Sequence, residues 1–145
     1  ILWNGDTGII ASKRDPVSYQ FSAIKDNTIQ LCAPTCIYST PVLSANKWMY
    51  IAAVRSGNKV HFYKDGEAVG VFDQPNVWVT NDADLYIGAW HGDGYKYGGM
   101  LDELSIYNRA LSAGEIKQNF TSKGLAVVLS AGKLTLTWGK MKMLN

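Results

Sequence analysis

Five residues in one short run, Trp90, His91, Asp93, Tyr95 and Tyr97 of WHGDGYKYGG, combine flat aromatic faces with hydrogen-bonding groups. A sugar ring asks for that mixture: its C–H faces lie on an apolar platform and its hydroxyls meet directed polar partners. Gly92, Gly94, Gly98 and Gly99 let the run turn freely. The same residues would also suit aromatics that merely cover the end of a β-sandwich, with glycines permitting the turn. Both readings stay open. Trp78, in the Asn- and Asp-rich stretch Asp73–Asp84, is a weaker second candidate for ligand contact. Asp82 and Asp84 there are either carboxylates for calcium or the solvated residues of a loop.

Asp102 and Glu103 are adjacent, so on a strand they point to opposite faces and cannot share one site as acid and base. Period-two spacing groups Asp102 with Met100, Leu104 and Ile106, which aims a carboxylate at an apolar face. Such a group needs a cation, an arginine or backbone donors. Pairing with Arg109 or capping nearby amides are the plain alternatives to a metal. His61 and His91 are far apart and form no metal spacing. There is no Gly-x-Ser-x-Gly elbow, phosphate-binding glycine loop or HExxH run, so the chain is expected not to be an enzyme.

The two cysteines, Cys32 and Cys36, bracket Pro34 in a Cys-x3-Cys run. A disulfide is expected there if the Cβ atoms face each other, two free thiols being the alternative. A bridge points to a secreted or cell-surface protein.

The composition of the 145 residues is 47% hydrophobic and 18% charged, which excludes a disordered chain or a coiled coil. A net charge of +2 without a basic stripe argues against nucleic acid as a partner; Lys133, Lys140 and Lys142 suit a solvated strand edge and tail. No apolar run reaches membrane-spanning length, so membrane insertion is not expected. The sequence opens at Ile1 rather than Met, which leaves room for a leader or a larger N-terminal piece.

The elements that must position these groups are short β runs separated by turns, with one helix near the end. Strands are expected over Gly8–Arg14, Tyr19–Lys25, Thr28–Cys32, Trp48–Arg55, Lys59–Lys64, Glu67–Phe72 and Leu85–Ala89. Asp65-Gly66 is a two-residue hairpin signal. Trp48–Arg55 is apolar at almost every position, as for a strand covered on both faces, with Trp48 packed in the core beside Tyr50 and Val54. Met100, Leu104 and Ile106 form one more alternating strand. Ser112 and Glu115 then have capping-box spacing at the start of a helix whose inner face carries Ile116 and Phe120. Leu125–Leu129 and Lys133–Trp138 form a final hairpin, with Leu134, Leu136 and Trp138 on one face. Trp3 sits near the terminus without a pattern around it.

The segment GGMLDELSIYNRALSAGEIKQNF, Gly98–Phe120, resembles the G-x-[IL]-D-E-[VL]-x-I-Y-[ND]-R-A-L-S-x-x-E-I block of bacterial laminin-G-like, concanavalin A-like jelly-roll domains. Trp48, Ile51–Arg55, Gly57, Val60, Tyr63, Asp65-Gly66, Leu85 and Ile87-Gly88 are similar to the same family's middle strands. The resemblance spans about Ile9 to Phe120. It implies an all-β, antiparallel two-sheet jelly-roll sandwich with one short helix near 112–120 and a C-terminal β-hairpin. It also implies that Asp102 helps hold the fold and, as in some members, contributes to a calcium site. The family's glycanase branch carries a Glu-x-Asp-x-x-Glu strand motif that has no counterpart here.

Members of that family carry earlier strands before the part that aligns with Ile9–Lys13. Their lack would leave unpaired edges and an uncovered apolar face. The chain is then a processed or incompletely determined piece, or a second chain supplies the strands, or Ile1–Gly8 and the final hairpin fold back to fill the gap; the first is favoured. Residues 1–124 are expected as the jelly-roll domain and 125–145 as a hairpin and tail packed on or between sandwiches. The expected function is non-catalytic extracellular recognition of a glycan or glycoprotein. The alternative is a structural subunit that self-associates through open strand edges.

Overall fold

A computed structural model describes residues 1–13, 19–76, 81–90, 94–122 and, for their backbone, 133–134. In chain order the strands are β1 (Leu2–Trp3), β2 (Gly8–Lys13), β3 (Tyr19–Ile24), β4 (Thr28–Cys32), β5 (Cys36–Tyr38) and β6 (Ile51–Ser56). They continue with β7 (Lys59–Lys64), β8 (Glu67–Asp73), β9 (Leu85–Ile87), β10 (Gly99–Met100) and β11 (Ile106–Tyr107). A helix, α1 (Ala113–Thr121), precedes β12 (Lys133–Leu134). One sheet runs β5-β4-β3-β2-β9 and the other β6-β7-β8, with β1–β10 and β11–β12 as short pairs; every pairing is antiparallel.

Alternation decides which side chains meet between the sheets. In β3 and β4 the pairs Phe21↔Leu31 and Ala23↔Ile29 face inward, where they join Ile10, Val60, Phe62 and Trp3 in one core. Gln20, Ser22 and Gln30, one residue out of phase, face the other way. A second cluster, Val54, Tyr63, Leu111 and Ile116, packs α1 on the outer face of the three-stranded sheet. The fold is thus the all-β two-sheet sandwich with one short helix.

Asp65 (φ 50°) and Gly66 (φ 84°) supply the paired positive φ values of a tight hairpin between β7 and β8. At α1 the capping box forms: Ser112 Oγ accepts from Glu115 N at 3.3 Å, and Glu115 Oε2 accepts from Ser112 N at 2.8 Å. Arg109 Nη2 also donates to Glu115 Oε1 at 2.6 Å. Arg109 first, then the Ser112 amide and hydroxyl, hold the Glu115 carboxyl down at about 2, against 4.5 ordinarily. A depressed carboxyl stabilises the fold above its unfolded value and loses that contribution as pH falls through its folded value. Helix signal is therefore expected to decline between about pH 4.5 and 2, and Glu115→Gln to remove that acid transition. An acid titration followed by circular dichroism checks this.

Several expectations are corrected. The strand over Met100–Ile106 is broken, because Glu103 adopts φ 52° and the alternation is lost between Met100 and Leu104. Asp102 is consequently exposed instead of facing the apolar side, and Arg109 pairs with Glu115 in place of Asp102. Trp48 is 54% exposed, since its neighbour Met49 takes the inward position and Trp3 fills the core. Phe120, expected inward with Ile116, is 43% exposed, its ring tilted against Tyr50. The run Trp48–Arg55 forms a strand only from Ile51, and among the described residues that strand is an edge of its sheet. Of the final hairpin, Lys133–Leu134 pair with β11, while Leu125–Leu129 lie outside the described residues.

Candidate functional site

The outer face of the five-stranded sheet carries a ladder of uncharged polar side chains. Register sets Ser22 opposite Gln30 and Gln30 opposite Tyr38, with Gln20 opposite Cys32. Gln20 Nε2 donates to Ser22 Oγ (3.1 Å) and Gln30 Oε1 (3.3 Å), and Gln30 Nε2 donates to the Tyr38 hydroxyl (2.8 Å). Ser22 and Gln30 are buried, so the network is held in place and not solvated side chain by side chain.

Over this floor folds the segment that follows β9. Gly88 N donates to Ile10 O, Trp90 N to Gly94 O, and Ile9 N to Tyr95 O, at 2.9, 2.9 and 3.1 Å. The first and third pin the loop to β2, and the Trp90–Gly94 bond closes the loop on itself. Gly8 permits the approach, because a Cβ there would collide with the Tyr97 backbone. Trp90 and Tyr95 stack with ring centroids 5.6 Å apart and planes 25° from parallel. Between the aromatic pair and the polar floor lies a hollow of about 300 Å³, whose lining includes Thr7, Gln20, Ser22, Gln30, Trp90 and Tyr95. Among the described residues the lining holds no Asp, Glu, Lys, Arg or His; it is made of amides, hydroxyls, aliphatics, the disulfide and aromatics. The site thus offers stacking surface and neutral hydrogen-bond partners together.

The far wall is the Cys32–Cys36 disulfide, which joins β4 to β5 where the two residues are register partners. The turn it closes includes a cis Ala33–Pro34 bond and is held a second time by Gln74, whose Nε2 donates to Thr35 O at 2.8 Å. For so short a loop, chain entropy allows a disulfide contribution of about 2 kcal/mol at most. The Cys32→Ser/Cys36→Ser variant is expected to fold and to lose no more than that in urea unfolding.

Of the residues singled out in sequence, Trp90 and Tyr95 meet at the hollow. Tyr97 does not line it: its ring packs against the core, its hydroxyl donates to Leu2 O at 3.1 Å, and burial pushes its pKa up to about 12. His91, Asp93 and Trp78 lie outside the described residues. Asp82 and Asp84 are exposed. Asp102 is exposed and its Oδ1 accepts from Glu103 N at 2.9 Å. Calcium takes six to eight oxygens, and no group of three or more His, Cys, Asp or Glu that could hold a metal exists among the described residues. Asp102 belongs to no such group among the described residues.

Gln20, Ser22 and Gln30 were not among the candidates. Their signal was present in the out-of-phase polar positions of YQFSAI and TIQLC, but alternation alone does not tell an exposed polar face from one roofed by a loop.

The family model described as the concanavalin A-like lectin/glucanases superfamily (Laminin_G_3) matches residues 4–117. Among solved structures, the "putative carbohydrate binding protein" of Bacteroides ovatus superposes with a TM-score of 0.73 at 18% identity, over 88% of this chain and 39% of that one. The heptameric SAP-like pentraxin of Limulus polyphemus superposes with a TM-score of 0.68 at 16% identity, over 90% of this chain and 74% of that one. At these identities the likeness establishes the fold. This chain spans about two fifths of the Bacteroides protein's length (39%). No curated protein matches the sequence.

Proposed function

We propose that this chain, which belongs to the concanavalin A-like lectin/glucanases superfamily, is a non-catalytic module that recognises an extracellular carbohydrate at the outer-face hollow. The observation that carries the reading is the stacked Trp90–Tyr95 pair set over the Gln20–Ser22–Gln30 network. An aromatic surface receives the C–H face of a sugar, while fixed amides and a hydroxyl can exchange hydrogen bonds with its ring substituents. The described lining, which holds no Asp, Glu, Lys, Arg or His, favours a neutral glycan over a sulfated or uronic one. The name of the Bacteroides neighbour is in keeping with this. The disulfide supports a secreted or cell-surface setting.

The test is a glycan array, followed by calorimetry on the glycans retained. Neutral oligosaccharides are expected to bind, with affinity unchanged between low and high salt, because an uncharged site gains nothing from screening-sensitive attraction. Binding confined to acidic glycans, or release of shorter sugars from a bound one, would overturn the proposal.

A further inference from the structure

The outer face of the five-stranded sheet holds a row of side chains that runs past the hollow. Ile9 is the register partner of Ser22, Ser22 of Gln30 and Gln30 of Tyr38, so one line crosses β2, β3, β4 and β5. It starts where Ile9 N is tied to Tyr95 O and ends at Tyr38, which stands outside the hollow's lining. Ile37 packs against the core, and alternation therefore turns Tyr38 to the same outer side as Gln30. Tyr38 is 45% exposed.

An exposed tyrosine is ordinary by itself. This one is held: Gln30 Nε2 donates to its hydroxyl at 2.8 Å, and Gln30 is a buried member of the hollow's floor. The ring is thus placed before any ligand arrives, which spares the cost of ordering it on binding. Its hydroxyl accepts from Gln30 and keeps its own hydrogen to donate. Tyr38 therefore offers what the hollow offers, an aromatic surface beside neutral hydrogen-bonding groups. Three strand spacings of about 4.8 Å separate β2 from β5, about 14 Å together, the length of roughly three linked sugar rings. The hollow, at about 300 Å³, stands at the small end of ligand sites. A longer chain must leave it, and the row toward Tyr38 continues the polar partners that begin at Ser22 and Gln30.

We propose that Tyr38 is a second aromatic platform, and that the ligand is a linear neutral oligosaccharide of at least about three rings laid across the strands from the Trp90–Tyr95 pair to Tyr38. This assignment rests on the carbohydrate reading of the hollow and gives the bound chain a direction and a minimum length.

Calorimetry on the full chain tests it, with size ladders of two to five rings prepared from linear neutral glucan, mannan, galactan and xylan. For a ladder that binds, affinity is expected to rise about tenfold from two rings to four, the gain of one further aromatic contact. Tyr38→Ala is expected to remove that gain and to leave the two-ring affinity unchanged, whereas Tyr95→Ala weakens every length. Tyr38→Phe, which keeps the ring, is expected to retain most of the gain. Equal affinity for two and four rings in the unaltered chain overturns the second platform, whatever the variants do, and leaves the reading of the hollow standing. A gain with length that persists in Tyr38→Ala does the same. Failure of every ladder to bind at any length overturns the carbohydrate reading and the second platform with it.

Discussion

Replacing Trp3 by alanine is expected to cost about 3–5 kcal/mol, the range for emptying a buried aromatic site. Trp3 is 1% exposed and packs with Ile10, Leu31, Met49 and Phe62 between the two sheets. Its indole nitrogen donates to Asp6 O at 2.6 Å, a bond that alanine also removes. The residue further anchors β1, whose partner Gly99 has φ 144° and no room for a Cβ against the Leu2 carbonyl. Small domains have about 5–15 kcal/mol in hand, so the loss is a large share of the total. Urea unfolding should show the midpoint falling with an unchanged slope, and Trp3→Phe recovering much of the difference. A shift below about 1 kcal/mol for Trp3→Ala would mean that the indole does not hold the sheets together.

Tyr95→Ala is expected to weaken glycan binding by about 30-fold, corresponding to about 2 kcal/mol for a well-placed aromatic contact. The Tyr95 side chain is 61% exposed while its backbone oxygen accepts from Ile9 N. Truncation therefore removes stacking surface and leaves the loop's tie to β2 in place. Tyr95→Phe keeps the ring and should bind within a few fold of the parent, since the platform is aromatic area rather than hydroxyl. Calorimetry on an array-selected neutral oligosaccharide measures both. Equal affinities for the parent and Tyr95→Ala would sink the Trp90–Tyr95 platform.

The elements were largely legible because their signals are local. Thr28–Cys32 alternates throughout and Lys59–Lys64 as far as Phe62, both between turn residues, and Ser112 with Glu115 announces the helix start. The Cys-x3-Cys spacing announced the disulfide. β5 and β1 were missed, being three and two residues long and defined by their partners rather than by any pattern of their own. Trp3, of which no role was expected, took the core place expected of Trp48 for a related reason. Apolar residues at a strand's start can fall on either side of it, and β1 crossing beside Trp48 settled which tryptophan went inside.

The candidate site divides the same way. An aromatic, glycine-rich loop after the run Leu85–Ala89 was evident from residue types alone, as was the mixture of flat faces and polar groups that a sugar asks for. Its floor was not, because Gln20, Ser22 and Gln30 lie some sixty to seventy positions before Trp90 and meet the loop through the β2–β9 pairing and the Ile9–Tyr95 bond. What the residue order determined by itself was periodicity, capping, turn chemistry and a disulfide, each set within a few neighbouring residues. What the tertiary structure alone decided was which polar face is roofed and which strand, among the described residues, ends its sheet. Both depend on non-local pairings, whose partners carry no mark of one another in sequence.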